Sequence, residues 1–377
     1  MSYIISEDGK ELLKDVRDFC INEVKEQVKE YDISGEWPKE IYDQAIEMQL
    51  HMMDVPEEYG GLGLDHMDQA AIVEQIAWAD AGVAVTLNGN GLALKPVLLA
   101  GNEEQKQYYS GLLQKGYLSS FCLTEPDAGS DSAAVRTTAV RKGDSYVING
   151  TKMFITNASL ASVFLVVATL DPSKGSKGLA TFIVEKDRPG VTVGKKIEKI
   201  GMRLSNTAEV IFDNVEIPAF NLIGTEEGGF ANAMKVLTAS RPIIAASSLG
   251  ACQLARDLAI QYSKERIAFG KPICAKQMIQ EKIANMEMLI QAGRGLVYNA
   301  TMLLDQGKPC NKEASIAKCF VTEAYGKITD DALQIFGGYG LCDEYLISKL
   351  YRDSRVNRII EGTNEIQRVV IAKSLLR

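Results

Sequence analysis

The sequence predicts a multidomain α+β protein with a helical N-terminal domain at residues 1–118, a middle antiparallel β-domain at 119–226 and a C-terminal four-helix bundle at 227–377. Two observations carry this prediction. Apolar residues recur with a helical period in the first and last parts of the chain, and with a period of two between them. The 377 residues, 46% of them hydrophobic and 24% charged, are also enough for two or three buried cores.

The first part of the chain is predicted to be helical because apolar residues lie three and four positions apart. The clearest examples are Leu12, Leu13, Val16 and Phe19, followed by Ala70, Val73, Ile76 and Ala77. Pro38, Pro56 and the glycine-rich segment 60–63 interrupt the pattern, as expected between helices. We therefore expect several short helices rather than one long one.

The middle part is predicted to be a barrel or sandwich because its apolar segments are short, β-branched or aromatic. These segments are 145–149, 163–168, 180–185 and 208–212, and turn signals such as Asn149-Gly150 and Pro189-Gly190 bound or separate them. After about residue 227 a helical seam returns. It runs through Ile279, Ile283, Met286, Ile290, Gly293, Val297, Ala300 and Leu304. We interpret this seam as core packing of a bundle.

Charge and composition exclude several classes of function. The net charge of −8, without a stripe of Lys and Arg, argues against nucleic acid or an anionic membrane as partner. We expect no apolar stretch that approaches the ~20 residues of a spanning helix. Two isolated histidines and seven scattered cysteines predict no metal site, and the cysteines favour a reducing, cytoplasmic compartment. The segment 1–15 lacks the pattern of a secretory or transit peptide.

Three local features could carry chemistry. In 123–131 a strand leads into a turn rich in Gly and hydroxyl groups, which could bind a heterocycle edge or a phosphate, although an ordinary turn has the same composition. Arg266, at a predicted helix end, could form a bidentate contact with a pyrophosphate or simply face solvent. The paired glycines in 334–340 allow the backbone to approach a flat ligand closely.

Glu361 is the candidate base. It follows the apolar pair Ile359-Ile360 and precedes Gly362. Apolar surroundings destabilise an ionised carboxylate and so make it a better base near neutral pH. A solvated surface Glu is the alternative that the local sequence leaves open.

Taken in order, six segments resemble the acyl-CoA dehydrogenase family over nearly the whole chain. They are Pro56-Glu57-Glu58-Tyr59-Gly60-Gly61, Thr124-Glu125-Pro126, Ile200-Gly201-Met202-Arg203, Arg266-x-x-Phe269-Gly270, Gln334-Ile335-Phe336-Gly337-Gly338 and Glu361-Gly362-Thr363-Asn364-Glu365-Ile366-Gln367. The resemblance implies the helical, β and helical-bundle domains in this order, one FAD per subunit and a homotetramer. It also implies an electron-transfer flavoprotein as the protein partner.

The resemblance assigns most of the candidate residues to FAD. It implies cofactor contacts from Phe121, Leu123, Thr124, Ser130, Phe154, Thr156, Arg266, Phe269, Gln277, Gln334, Gly338, Thr363 and Glu365. Gln277, Gln334 and Gly338 would contribute partly from a neighbouring subunit. The resemblance thereby gives oligomerisation a chemical reason, because the site would be incomplete in a monomer.

The resemblance also implies the reaction. Glu361 would remove the α-proton of an acyl-CoA, hydride would pass to flavin N5, and the product would be a trans-2-enoyl-CoA. Ser130, Arg241, Asn88 and Gly362 would contact the substrate. Some family branches place their base near residue 240, where this chain has Ser240-Arg241 and no carboxylate, which favours Glu361 and short or medium straight-chain substrates.

Three other functions stay open. The same residues would serve an enoyl-CoA reductase that works in the reverse direction in an anaerobe. A flavin oxidase or monooxygenase of the same architecture is disfavoured by the Glu-Gly-Thr segment at 361–363. A non-catalytic acyl-CoA-binding or flavin-binding module is disfavoured because both the base and the cofactor segments are present.

Overall fold

The computed structural model describes residues 5–376, so positions 1–4 and 377 of the predicted first and third domains lie outside the described residues. The N-terminal helices are α1 (Glu7–Phe19), α2 (Lys25–Ser34), α3 (Lys39–Glu47), α4 (His66–Ala79), α5 (Ala81–Ala100) and α6 (Glu103–Gln114). A π-helical turn at Cys20–Val24 joins α1 to α2. Val16 and Phe19 are buried, as are the four predicted apolar positions of α4, so the predicted helical faces are confirmed.

A sheet of eight strands follows the N-terminal helices. Its strands are β1 (Leu118–Cys122), β2 (Thr138–Lys142), β3 (Ser145–Thr156), β4 (Ala161–Thr169), β5 (Leu179–Glu185), β6 (Val191–Val193), β7 (Thr207–Pro218) and β8 (Leu222–Ile223). The order is β6-β7-β3-β2-β4-β5-β8, with β1 paired to β4. Most pairs are antiparallel, as predicted. Two pairings are parallel, however: those of β1 and of β2 with β4.

Helices return after the sheet, as the sequence predicts. Three of them are long, namely α7 (Gly229–Glu265), α8 (Gln277–Asp305) and α9 (Asn311–Phe336). The shorter α10 (Leu346–Asn357) and α11 (Asn364–Leu375) pack on α9. A small hairpin of β9 (Ile267–Ala268) and β10 (Lys271–Pro272) separates α7 from α8. The predicted seam of α8 is buried at Met286, Ile290, Gly293, Val297 and Ala300, and this confirms its packing role.

Two of the described helices, α5 and α7, are long and apolar enough to span a membrane by length and composition. The expectation that no apolar stretch approaches that length is therefore wrong. In this fold 67% of the apolar window of α5 and 72% of that of α7 are buried against other elements. A helix that is apolar on all sides also suits the centre of a large globular protein, and α5 and α7 take that place here.

A buried charge network joins the three parts of the chain. Lys349 on α10 donates to Asp353 Oδ2 at 2.5 Å and to the carboxylate of Asp80, which caps the N-terminus of α5. Asp353 Oδ1 accepts from the backbone N–H of Met202, in the segment between β6 and β7. Because unpaired buried charges are costly, this network fixes how α5, the sheet domain and α10 meet.

The contact between α7 and α4 depends on Gly250. A Cβ atom at this position would overlap the carbonyl oxygen of Glu74 and would lie 2.7 Å from the backbone nitrogen of Trp78. The absence of a side chain therefore lets the two helix backbones approach closely. Because backbone atoms cannot move aside as a flexible side chain can, any larger residue must separate the helices.

We predict that Gly250→Ala lowers the free energy of unfolding by about 1–3 kcal/mol, the usual cost of overpacking. Gly111→Ala in α6 is the matched control, since a Cβ atom added there would meet no atom within 4 Å. Helix propensity alone should make the control neutral or more stable by about 0.5–1 kcal/mol. Denaturant and thermal unfolding curves of both variants provide the measurement. Equal midpoints for the two variants would contradict the close contact.

Candidate active site

Glu361 lies in the short loop between α10 and α11, on a backbone that side chains rarely adopt. Its φ is +57° and that of Gly362 is +86°. Glycine takes such angles freely, whereas a Glu in the left-handed region is strained by about 1–3 kcal/mol and must be held by its surroundings. Thr363 then caps the N-terminus of α11 and ends the loop. The strain marks Glu361 as a residue whose orientation the fold enforces.

The Glu361 carboxyl is partly buried between α7 and α9. Ser240 Oγ on α7 donates to Glu361 Oε2 at 2.8 Å. Burial raises the pKa of Glu361, while the hydrogen bond from Ser240 and the charges of Arg241, Lys318 and Lys95 oppose that rise. The expectation that the surroundings destabilise the ionised form is therefore confirmed. The same contacts still let the group ionise, which a base requires.

Arg241 lies beside this carboxyl and is buried. Its Nη1 donates to Asn311 Oδ1 at 2.8 Å and to Ser315 Oγ at 3.3 Å, which anchors it to α9. Its Nε has no hydrogen-bond partner among the described residues, and burial lowers the pKa of the guanidinium. A buried, unsatisfied donor next to a candidate base is well suited to a polar group of a ligand.

Two residues of this candidate site, Ser240 and Lys318, are not among the candidate residues predicted from the sequence. Lys318 on α9 is fully buried, and its Nζ donates to the carbonyl of Gly362 and to Asn364 Oδ1, both at 2.9 Å. The sequence does contain a signal for Lys318, because it lies on the buried face of α9 together with Ala314, Ala317 and Val321. A lysine in such a row is rare unless it has a specific role.

Asn88, the predicted substrate contact on α5, is buried and lines a small cavity together with His51 and Asp54. Asp54 Oδ2 is 3.2 Å from Lys95 Nζ, one of the cations that act on Glu361. Asn88 is thus near a polar pair whose lysine acts on the charge of Glu361. The cavity itself is far too small for an acyl chain.

The predicted residues of the sheet domain form a second surface. Leu123 is buried, Phe121 and Thr156 are half-buried, and Phe154 is 63% exposed at a φ of +59°. The carbonyl of Thr124 accepts from the backbone N–H of Met153 at 2.8 Å, so the segment at 123–124 lies directly beside β3. Ser130 is exposed in the turn that follows. Backbone, hydroxyl groups and an exposed ring are therefore presented together.

An internal ion pair holds this surface in place. Lys152 is fully buried and donates to Glu125 Oε1 at 2.7 Å and to the carbonyl of Leu123 at 3.1 Å. Glu125 also accepts from the backbone N–H groups of Arg136 and Thr137. Since Lys152 is on β3 and Glu125 follows β1, the pair fixes the loop after β1 against the strand that carries Phe154.

The remaining cofactor candidates lie elsewhere. A cavity of about 470 Å³ is lined by Arg266, Gly338, Tyr262, Phe336, Tyr339 and neighbouring residues. Phe269 is 93% exposed nearby, Arg266 lies 5.5 Å from the centre of the Tyr339 ring, and both Gln277 and Gln334 are exposed. Gln334 follows Lys318 by about four and a half turns of α9, or about 24 Å. Within one chain, Gln334 and the cavity at the end of α9 therefore lie far from Glu361.

The comparisons with known proteins cover all three parts of the chain. The family profiles described as Acyl-CoA dehydrogenase N-terminal, middle and C-terminal domain match residues 6–116, 120–215 and 227–376. The chain belongs to the acyl-CoA dehydrogenase family. Members of this family are FAD-dependent oxidoreductases, and the fold of this chain, with helical, sheet and helical parts in this order, is theirs.

Relatives in the family have several activities by name. An acyl-CoA dehydrogenase of Bacillus subtilis and a 3-(aryl)acrylate reductase of Clostridium sporogenes are each 42% identical over 374 residues, covering 99% of both chains. The caffeyl-CoA reductase-Etf complex subunit CarC of Acetobacterium woodii is 40% identical over 375 residues, with 99% coverage of both. The solved butyryl-CoA dehydrogenase of Megasphaera elsdenii has a TM-score of 0.97, at 39% identity and full coverage of both chains.

The residues of this chain fit the cofactor of the family. The exposed Phe154 ring next to the backbone at 123–124 suits a flat heterocycle with a polar edge. Arg266 has no carboxylate within 4 Å among residues 5–376, and a Cβ at Gly337 or Gly338 would meet no atom within 4 Å. An unpaired guanidinium beside open backbone suits a pyrophosphate. An FAD complex of PigA, with a TM-score of 0.94 at 27% identity, covers 100% of this chain and 99% of that one.

Proposed function

We propose that this chain is an FAD-dependent acyl-CoA dehydrogenase that converts a short- or medium-chain acyl-CoA to the trans-2-enoyl-CoA. The observation that carries the proposal is the Glu361 carboxyl, which is partly buried, held by Ser240 at 2.8 Å and surrounded by three cationic side chains. The similarity to butyryl-CoA dehydrogenase supports the short-chain preference. The absence of a carboxylate at Ser240-Arg241 supports Glu361 as the base.

The proposed reaction begins with proton removal by Glu361. The Cα–H bond next to a thioester is weakly acidic, so its cleavage needs a positioned base of raised pKa. The proton passes to the Glu361 carboxylate, and the bonding electrons form the α,β double bond as the β-hydrogen leaves with its electron pair. FAD, when bound, supplies the acceptor for that hydrogen and pair.

The thioester oxygen gains negative charge during proton removal and needs a hydrogen-bond donor. The backbone N–H of Glu361 has no acceptor among the described residues and is therefore available. A preorganised backbone donor in a dry site stabilises developing charge far better than water does. Arg241 and Asn88, and the loop at Gly362, are proposed as further substrate contacts, with Ser130 toward the CoA side.

We assign FAD contacts to two sets of residues. Phe121, Leu123, Thr124, Ser130, Phe154, Thr156, Thr363 and Glu365 would hold it from the subunit that supplies Glu361. Arg266, Phe269, Gln277, Gln334 and Gly338 would act from a neighbouring subunit. The distance of about 24 Å along α9 within one chain supports this division. It also supports an oligomer, which we propose to be a homotetramer, because each site would need more than one chain.

An electron-transfer flavoprotein is proposed as the redox partner, and the name of the relative CarC supports it. We propose a cytoplasmic location because all seven cysteines are unpaired and five of them are buried. A second candidate function is the reverse reaction, reduction of an enoyl-CoA. The names of the two reductase relatives favour it, and the same base would return the α-proton.

We predict that Glu361→Gln folds, stays yellow and binds acyl-CoA but loses flavin bleaching by about 10²–10⁴-fold, the usual contribution of a general base. The measurement is anaerobic stopped-flow absorbance with propionyl-, butyryl-, hexanoyl-, octanoyl- and isovaleryl-CoA. Glu104→Gln, at an exposed position of α6, is the control and should match the wild type. Bleaching at the wild-type rate by Glu361→Gln would show that the base lies elsewhere.

We predict that Ser240→Ala moves the acid limb of the bleaching rate to higher pH. Ser240 donates to the ionised Glu361, so its loss raises the pKa of the base, and a higher pH is then needed to ionise it. A shift of about one pH unit is expected for a lost hydrogen bond to a charged group. Ser247→Ala, buried on the same helix, is the control and should leave the pH profile in place. A shift to lower pH would refute the assigned role.

We predict that Arg266→Ala lowers the affinity for FAD by about 10–100-fold, since a hydrogen bond between charged groups contributes about 1.5–3 kcal/mol. Titration of the apoprotein with FAD, followed by flavin fluorescence, measures the dissociation constant. Arg141→Ala on β2, at another exposed arginine, should bind FAD as the wild type does. Unchanged affinity in Arg266→Ala would remove this residue from the proposed cofactor site.

A further inference from the structure

Lys318 is a buried lysine without a carboxylate partner. It is fully buried on α9, and no Asp or Glu oxygen lies within 4 Å of its Nζ in residues 5–376. Its ammonium donates instead to the carbonyl of Gly362 and to Asn364 Oδ1. Other buried lysines of this chain, Lys152 and Lys349, are paired with carboxylates. Since an unpaired buried charge is costly, the position of Lys318 requires another explanation.

The two groups that Lys318 contacts flank the loop of Glu361. Gly362 directly follows the base, and Asn364 begins α11. Asn364 is in turn bonded to Thr322 Oγ1 on α9, at 3.0 Å from Nδ2. From α11, Gln367 Nε2 donates to the same Gly362 carbonyl at 3.0 Å. The strained residue Glu361 is thereby fastened on its C-terminal side to both α9 and α11, and Lys318 is the charged group among the contacts to α9.

We propose that Lys318 is a positioning residue for the base. It holds the carbonyl of Gly362 and the amide of Asn364, and so orients the Glu361 carboxyl, and its positive charge favours the ionised form of that carboxyl. This inference rests on the proposed function of Glu361. Lys318 is fully buried beneath the loop and acts on the reaction only through Glu361.

Several charged or titratable groups face this pair from the surrounding elements. Arg241 on α7 and Lys95 on α5 act on Glu361, as Lys318 does, and all three favour its ionised form. Glu365 on α11, Cys319 on α9 and Arg241 act on Lys318. Burial lowers the pKa of Lys318 to about 8, and Glu361 opposes that shift. The charge of Lys318 is therefore present below about pH 8 and is lost as the pH rises through that value.

The test compares Lys318→Gln and Lys318→Met with the wild type as FAD-loaded enzymes. Gln keeps a donor but has no charge, and Met removes both. We expect both to bind FAD and acyl-CoA, to bleach about 10-fold or more slowly at neutral pH, and to show an acid limb about one unit higher. The sign follows because loss of a neighbouring cation raises the pKa of Glu361. The Gln variant should approach the wild type above about pH 8, where the wild type has lost the same charge.

Lys327→Gln is the matched control, because Lys327 is an exposed lysine nine residues, or about 14 Å, further along the same helix α9, and its substitution removes the same charge. It should leave the acid limb in place. If Lys318→Met does not fold, Lys318→Gln still decides the question, and an acid limb and rate equal to the wild type in Lys318→Gln would overturn the inference. The proposed function fails differently: in that case none of the acyl-CoAs would bleach the wild type, or Glu361→Gln would bleach normally.

Discussion

The structure depends on a carboxylate that is shielded from water and is still able to ionise. Burial alone would keep Glu361 protonated, and exposure alone would leave it a weak base. The packing of α7 against α9 reconciles the two requirements, because α7 supplies Ser240 and Arg241 and α9 supplies Lys318. The loop between α10 and α11 then places the Glu361 carboxyl in the space between them. Each of these contacts joins residues far apart in sequence, so the site exists only in the folded protein.

In the sheet domain, a buried ion pair holds the loop that follows β1. The loop after β1 lies outside the regular strands, so its backbone groups need partners other than a neighbouring strand. The buried pair of Lys152 and Glu125 compensates by bonding to the backbone of Leu123, Arg136 and Thr137. The ion pair thus holds the loop after β1 from its buried side, while the other side of the loop stays exposed.

Much of the fold can be predicted from the sequence because it is encoded locally. The spacing of Val16 and Phe19 predicts a buried helical face, and the short aromatic and β-branched run at 145–149 predicts a strand, without knowledge of the rest of the chain. The parallel pairing of β1 with β4 cannot be read in this way, since register between distant strands depends on the tertiary fold. The apolar character of α5 and α7 is easily underestimated, because polar residues interrupt both helices. The mean hydropathy of each helix nevertheless stays high enough for a membrane-spanning segment.

The residues of the candidate active site also differ in whether local sequence or the tertiary fold reveals them. Glu361, Arg241 and the segment at 123–124 can be found because their neighbours in sequence form recognisable patterns. Ser240 stands out in the sequence only as the absence of a carboxylate, and nothing there indicates its contact with a residue 121 positions away. Lys318 lies within an apolar helical face, where a single lysine resembles a residue whose charged end reaches the surface. The sequence also does not show whether the cofactor residues of the sheet domain and those near Arg266 act within one chain or across two, because this depends on distances in the folded protein.

The short helix α10 has the interdomain charge network at Lys349 and Asp353 along its length, and the loop of Glu361 follows its C-terminal end. One helix therefore contacts both the helical and the sheet parts of the chain and also leads into the loop of Glu361. The orientation of Glu361 consequently depends on the same helix that holds the domains together.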